Sequence, residues 1–159
     1  MNANESLVLK GVMELEEKKL VGFRVVCEDG ADYSQEIPKA SLALAKRKGE
    51  INHLVEPVKL IGAFKASDTT EDDGYWSCFE VTDFKDIPEG MVELTVPQQE
   101  YAVLGFRGHA SRIFQVYEYL HEWMEGKGYS RKKDQWTLEV YSKWTESEDH
   151  VELCDPVGR

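Results

Sequence analysis

Two side chains in one short stretch could do chemistry together. The run Gln135-Trp136-Thr137-Leu138-Glu139-Val140-Tyr141-Ser142-Lys143-Trp144 is rich in aromatic and β-branched residues and reads as a strand. Alternation along a strand puts Thr137, Glu139, Tyr141 and Lys143 on one face, and Leu138 and Val140 on the other. A carboxylate taken out of water costs several kcal/mol unless it finds a partner. Glu139 therefore either faces solvent or has a task. As a counter-ion it would meet a bound cation. As a general base in a dry pocket it would take a proton from water, with Tyr141 as its neighbouring hydroxyl. Aromatic residues that could wall such a pocket are Tyr75, Trp76, Trp123 and Trp136, and Trp123 is the one that a helix core would most readily claim. Trp76 enters the set because it follows the acidic stretch 67–74.

Other chemistries lack their residues. His53, His109, His121 and His150 stand at no metal-ligand spacing with one another or with a cysteine, so no metal is expected. The chain carries no glycine-rich phosphate loop and no nucleophile elbow, and no cofactor is expected. Cys27, Cys78 and Cys154 are odd in number and far apart, which suits small apolar groups in a reduced, cytoplasmic protein better than a disulfide framework. Thirty acidic residues against 19 basic ones give a net charge of −11, a poor match for nucleic acid, whose phosphates need a basic face. The first ten residues lack the basic start and apolar core of a signal peptide, and no apolar run approaches the length of a membrane span.

The elements that must position Glu139 follow from hydrophobic period and punctuation. Residues 1–10 read as a loose lead-in. Gly11–Leu15 starts a strand, and Val21, Phe23, Val25 and Cys27 alternate as the apolar face of a second. A helix is expected from Pro38, in its first turn, to Gly49, with Lys46-Arg47-Lys48 at the negative end of its dipole. Strands follow at Val58–Lys65 and Tyr75–Val81, on either side of the polar loop 67–74. A second helix runs from Ser111 to about Met124, with Ile113, Val116, Tyr117, Leu120 and Met124 as its apolar stripe and Gly126 and Gly128 at its end. The strand of Glu139, the polar loop 145–149 and a last strand at Val151–Cys154, closed by Pro156, complete the chain.

The order repeats. Gly90-Met91-Val92-Glu93-Leu94 mirrors Gly11-Val12-Met13-Glu14-Leu15, 79 residues on. Val103-Leu104-Gly105-Phe106-Arg107 mirrors Leu20-Val21-Gly22-Phe23-Arg24, 83 residues on. We read one α+β domain over 1–159 built from two copies of a strand-strand-helix-strand-strand unit, the first about 11–86 and the second about 87–159. Neither copy can bury a sheet face alone, so the expected architecture is two pseudo-symmetric antiparallel halves, covered by two main helices, with a ligand cleft at the seam. Alignment of the copies, which no gap anchors against a slip of one residue, sets Gly62 opposite Glu139: space in one half, a carboxylate in the other.

The chain also resembles the GyrI-like small-molecule-binding family, the effector-binding domain of bacterial transcription activators. The matching residues are Ile87-Pro88-Glu89-Gly90-Met91, Val96-Pro97, Glu100-Tyr101-Ala102-Val103, Gly108, Tyr119 to Met124, Gly128-Tyr129, Leu138 to Tyr141, Val151-Glu152-Leu153 and Pro156-Val157. The resemblance implies a duplicated βαββ fold. It also implies that the acidic residue at Glu139 lies in an aromatic pocket facing cationic or polar groups of lipophilic drugs. It places Glu152 on the glutamate of a terminal E-x-aromatic-x-P pattern, from which this chain departs at Cys154, implying a thinner pocket wall there. Many relatives carry an N-terminal DNA-binding motif; with about ten residues before its first strand, this chain reads as a stand-alone member.

Three functions follow. The first is binding of lipophilic aromatic compounds, cations among them, for sensing or sequestration, with Glu139, Tyr141, Trp76, Tyr75, Glu152, Cys154 and Trp123 as ligand contacts. The second, which the resemblance allows, is hydrolysis of strained, cyclopropane-type genotoxins, with Glu139 activating water and Tyr141 or Tyr75 bonding the leaving oxygen. The third is an acidic inhibitor or adaptor of another protein.

Overall fold

The computed structural model describes residues 6–66, 72–145 and 147–158. Most of the expected acidic loop, residues 67–71, and Glu146 of the later loop lie outside them. The first half is β1 (Ser6–Leu15), β2 (Lys18–Val25), α1 (Tyr33–Lys46), β3 (Leu60–Lys65) and β4 (Tyr75–Val81). The second is β5 (Val92–Val96), β6 (Gln99–Gly108), α2 (Ile113–Gly126), the two-residue β7 (Ser130–Arg131), β8 (Trp136–Lys143) and β9 (Asp149–Gly158).

The halves exchange their first strands. The antiparallel sheet runs β1-β6-β9-β8-β3-β4-β2-β5, so β1 pairs with the second half and β5 with the first, while β7 pairs the end of β9. Only two residues join β1 to β2, and only two join β5 to β6, yet these pairs lie at opposite ends of the sheet. Three peptide steps span at most about 11 Å, so the sheet curls until its two edges meet at that end. The curled face buries Leu20, Ile61, Trp76, Tyr101, Trp136, Leu138 and Cys154, with Leu15 of one edge and Leu94 of the other packed against them.

The opposite face carries the helices. Val116, Leu120 and Met124 of α2 pack on Ala102, Leu104, Phe106, Val151 and Leu153. Leu44 of α1 packs on Val21 and Phe79, and the Ser41 and Ser77 hydroxyls meet at 2.7 Å in the same interface. Each helix thus covers the flanking strands of one half, and the central pair β3 and β8 is left between them.

Three sequence expectations are corrected. Residues 6–10 are not a lead-in: they form the outer part of β1, hidden from a periodicity reading because the register shifts at Gly11, whose φ of +85° bulges the strand. The first helix starts a turn early, at Tyr33, behind a 3-10 turn in which Asp29 accepts from the Ala31 N–H, so Pro38 stands in its second turn, and the helix ends at Lys46 rather than Gly49. The last strand does not stop before Pro156 but runs on to Gly158. Proline is tolerated there because the pairing with β8 stops at Cys154, and the Pro156 carbonyl accepts from the Lys132 N–H at 2.9 Å.

A candidate ligand site over the central strands

The two central strands meet in a register that sets Gly62 directly opposite Glu139. The missing side chain has an occupant. A Cβ built on Gly62 would sit 1.7 Å from the Tyr75 hydroxyl, so the Tyr75 ring lies across the glycine. From there its hydroxyl donates to Glu139 Oε1 at 2.7 Å. Tyr117, one turn into α2, donates to Oε2 at 2.7 Å from the other side. Tyr141, two residues along the same strand face, brings a third hydroxyl 3.4 Å from Oε1. Glu139 is 7% exposed, and among the described residues no lysine, arginine or histidine forms an ion pair with it.

Burial raises the Glu139 carboxyl above its ordinary value; the donated bonds from Tyr117, Tyr75 and Tyr141 oppose that rise, and nearby Asp149 adds to it. The phenols of Tyr75, Tyr117 and Tyr141 are pushed well up, first by burial and then by the Glu139 charge, so they remain protonated donors. Hydrogen bonds to a charged acceptor contribute about 1.5–3 kcal/mol each. Two short ones recover much of the cost of burying the carboxylate and leave a negative charge without a cation.

Above Glu139 lies an open cavity of about 450 Å³. Phe64 stacks on Tyr75, ring centroids 6.0 Å apart, and meets Tyr117 edge-on at 6.4 Å. Tyr33 and Ile37 of α1 face Ile113 and Phe114 of α2 across it, with Phe114 81% exposed at the rim. Polar groups enter at the sides: Thr137, His121, Arg131, Asp73 and Lys65, the last paired with Asp72 at 2.7 Å. The result is an apolar slot with an anionic floor, suited to a flat or bulky aromatic body with a positive centre.

Of the residues singled out in the sequence, Glu139, Tyr75 and Tyr141 come together here. Trp76 does not. As the neighbour of Tyr75 on a strand it must point the other way, and it is buried in the curled face, edge-on to Trp136 at 5.0 Å with the Arg24 guanidinium 4.4 Å from its ring centre. Trp123 stacks on Tyr129 against the α2 core and lines no part of the cavity. Glu152 and Cys154 also lie on the curled face, because Leu153 and Asp155 between and beside them face the helices. They border a separate cavity of about 230 Å³, where Glu152 pairs with Lys10 and burial pushes the Cys154 thiol up to about 12. Cys154 therefore thins no wall of the Glu139 cavity. The site residues missed were Tyr117, Phe64, Phe114, His121 and Arg131. Phe64 was within reach, two positions from Gly62 on the same face. Tyr117 sat unrecognised in the apolar stripe of α2, where its hydroxyl was the one polar atom in need of a partner.

Comparison with known proteins agrees with this architecture. No curated protein matches the chain. Among solved structures, the C-terminal domain of EcmrR superposes with a TM-score of 0.70 at 19% identity over 98% of both chains. SAV2435 bound to tetraphenylphosphonium superposes with a TM-score of 0.68 at 17% identity over 92% of both. An integron cassette protein of Vibrio cholerae gives 0.56 at 19% identity, over 96% of this chain and 99% of its own. The chain spans 58% of the EcmrR chain seen in its complex with DNA. At such identities the likeness concerns the fold. The family model for the GyrI-like small molecule binding domain matches residues 12–157. With nearly the whole chain matched, and a duplicated sheet with two helices flanking an open cavity, this protein belongs to the GyrI-like small-molecule-binding domain family.

Proposed function

We propose that this domain binds lipophilic aromatic cations in the cavity between α1 and α2, with Glu139 as their counter-charge. The observation that carries the reading is a buried carboxylate held by two tyrosine hydroxyls at 2.7 Å, with no ion-pair partner among the described residues, on the floor of an aromatic slot. At a separation near 4 Å and an effective dielectric of 20, a bound cation would gain roughly 4 kcal/mol from that charge. The aromatic walls add apolar burial and face-on attraction to a cation. The tetraphenylphosphonium bound to SAV2435 supports the reading by analogy of fold. Calorimetric titration with tetraphenylphosphonium tests it: wild type should bind saturably, and Glu139→Gln should lose about a thousandfold in affinity, the equivalent of 4 kcal/mol. Absence of saturable binding to wild type overturns the proposal.

A hydrolytic reading rests on the same carboxylate, because burial holds Glu139 above the ordinary carboxyl range, towards the working range of a general base. Both of its oxygens already accept from phenols, which favours an anion that attracts over a base that abstracts. Mass spectrometry of ligands recovered from the protein separates the two: unchanged mass for a binder, a water added for a hydrolase.

A further inference from the structure

The cavity has a second polar anchor. Asp155 is 2% exposed on β9, on the same sheet face as Glu139. Glu139 is opposite Leu153, so Asp155 lies diagonally across, with Cβ atoms on the order of 7–8 Å apart. Two cationic-type side chains converge on it: His121 Nε2 at 2.5 Å and Arg131 Nε at 3.3 Å, both from Oδ2. His121 and Arg131 also line the cavity. The backbone of Arg131 is held by the β7 ladder, opposite Val157, and by the neighbouring Lys132 N–H bond to Pro156.

The geometry within this cluster is incomplete. Arg131 Nε is buried and makes no hydrogen bond, although it faces Asp155. Of the five N–H groups of a guanidinium, one Nη N–H lies alongside Nε–H on the edge that faces Asp155, and the other three lie on the remaining edges. Planar, fork-like guanidinium groups are matched by carboxylate and phosphate oxygens. Asp155 holds the His121 ring and faces the Nε edge of Arg131, and the Arg131 guanidinium keeps further N–H donors where it lines the cavity.

Resting on the cation-binding reading above, we infer that the preferred ligands are amphoteric: aromatic compounds with a positive centre at Glu139 and an oxyanion or strongly polar acceptor at Arg131, one sheet diagonal away. The Arg131–Asp155 pair is neutral as a unit, so the attraction is short-ranged and depends on where the acceptor sits on the ligand. It opposes the general field of a chain of net charge −11, which favours plain cations. A preference for the amphoteric ligand is therefore diagnostic of the anchor.

The test compares tetraphenylphosphonium, its para-carboxyphenyl derivative and the methyl ester of that derivative, by calorimetry on the intact chain. The expected result is that the acid binds about tenfold more tightly than the ester, as one charge-assisted hydrogen bond supports. In Arg131→Gln the acid-to-ester ratio should fall to near one. Equal affinities for acid and ester in wild type overturn the inference and leave the cation reading standing, provided that tetraphenylphosphonium binds. If none of the three binds, both fail. Should Arg131→Gln not fold, the wild-type acid-to-ester ratio decides by itself.

Discussion

Adding one methyl group at Gly62 should disable the site by displacing Tyr75 from the cavity floor. Alanine is usually neutral or mildly favourable where the backbone allows it, and Gly62 does not have the left-handed backbone that demands glycine. The obstacle is the neighbour: its Cβ would stand 1.7 Å from Tyr75 Oη and 2.3 Å from Cζ, distances that no small adjustment relieves. Tyr75 must turn away, abandoning Glu139 and its stack on Phe64. Loss of a bond to a charged acceptor removes about 1.5–3 kcal/mol from the ionised state of Glu139, which raises its carboxyl midpoint by roughly one to two pH units. Tetraphenylphosphonium affinity near neutral pH should drop about tenfold in Gly62→Ala, and the pH at which binding fails should move up. Isothermal titration over a pH series measures both. Gly126→Ala is the control, because a Cβ there meets nothing within 4 Å. Wild-type affinity and an unmoved pH midpoint in Gly62→Ala would refute the claim that Tyr75 holds Glu139 across the glycine.

Two further outcomes are expected. Tyr117→Phe removes the only donor on Glu139 Oε2 among the described residues while keeping the ring that meets Phe64, so ligand affinity should fall about tenfold and the melting temperature by roughly several degrees, as read by calorimetry and thermal denaturation. Without ligand, Glu139 should also make stability depend on pH in an unusual sense. Its folded-state carboxyl lies above the ordinary 4.5, so its ionisation opposes folding, and the penalty is fully present above the folded midpoint and absent below about 4.5. As pH falls through that window, wild type should gain on Glu139→Gln in denaturant titrations. A stability difference that does not vary with pH would contradict the raised midpoint.

How much of this was legible in the sequence depends on which rule governed each residue. The duplicated Gly-x-x-Glu-Leu and Gly-Phe-Arg words exposed the repeat, and the repeat paired Gly62 with Glu139, which the central strands then place face to face. The exchange of β1 and β5 was not legible, because either pairing buries the same alternating residues. Strand alternation, applied strictly, separates Tyr75 from Trp76. Adjacency to the acidic stretch 67–74 favours Trp76 in the sequence, but only Tyr75 shares a face with Glu139. Glu152 and Cys154 came from a terminal motif, and the same alternation puts them behind the sheet. Tyr117 was hidden by its own helical spacing, which is the signature of a core stripe whether or not one member carries a hydroxyl. His121, Arg131 and Asp155 are far apart in the chain, and only the tertiary fold brings them to one point.

If Glu139 is a buried anion awaiting a cation, its own titration must respond to the ligand. With glutamate labelled at the side-chain carboxyl carbon and Glu139 assigned by comparison with Glu139→Gln, NMR follows its midpoint in the free protein and with saturating tetraphenylphosphonium. The free midpoint should lie above 4.5, and the bound midpoint lower by up to about three pH units, the equivalent of a 4 kcal/mol cation–carboxylate attraction. A midpoint that stays where it is when the ligand binds would contradict it.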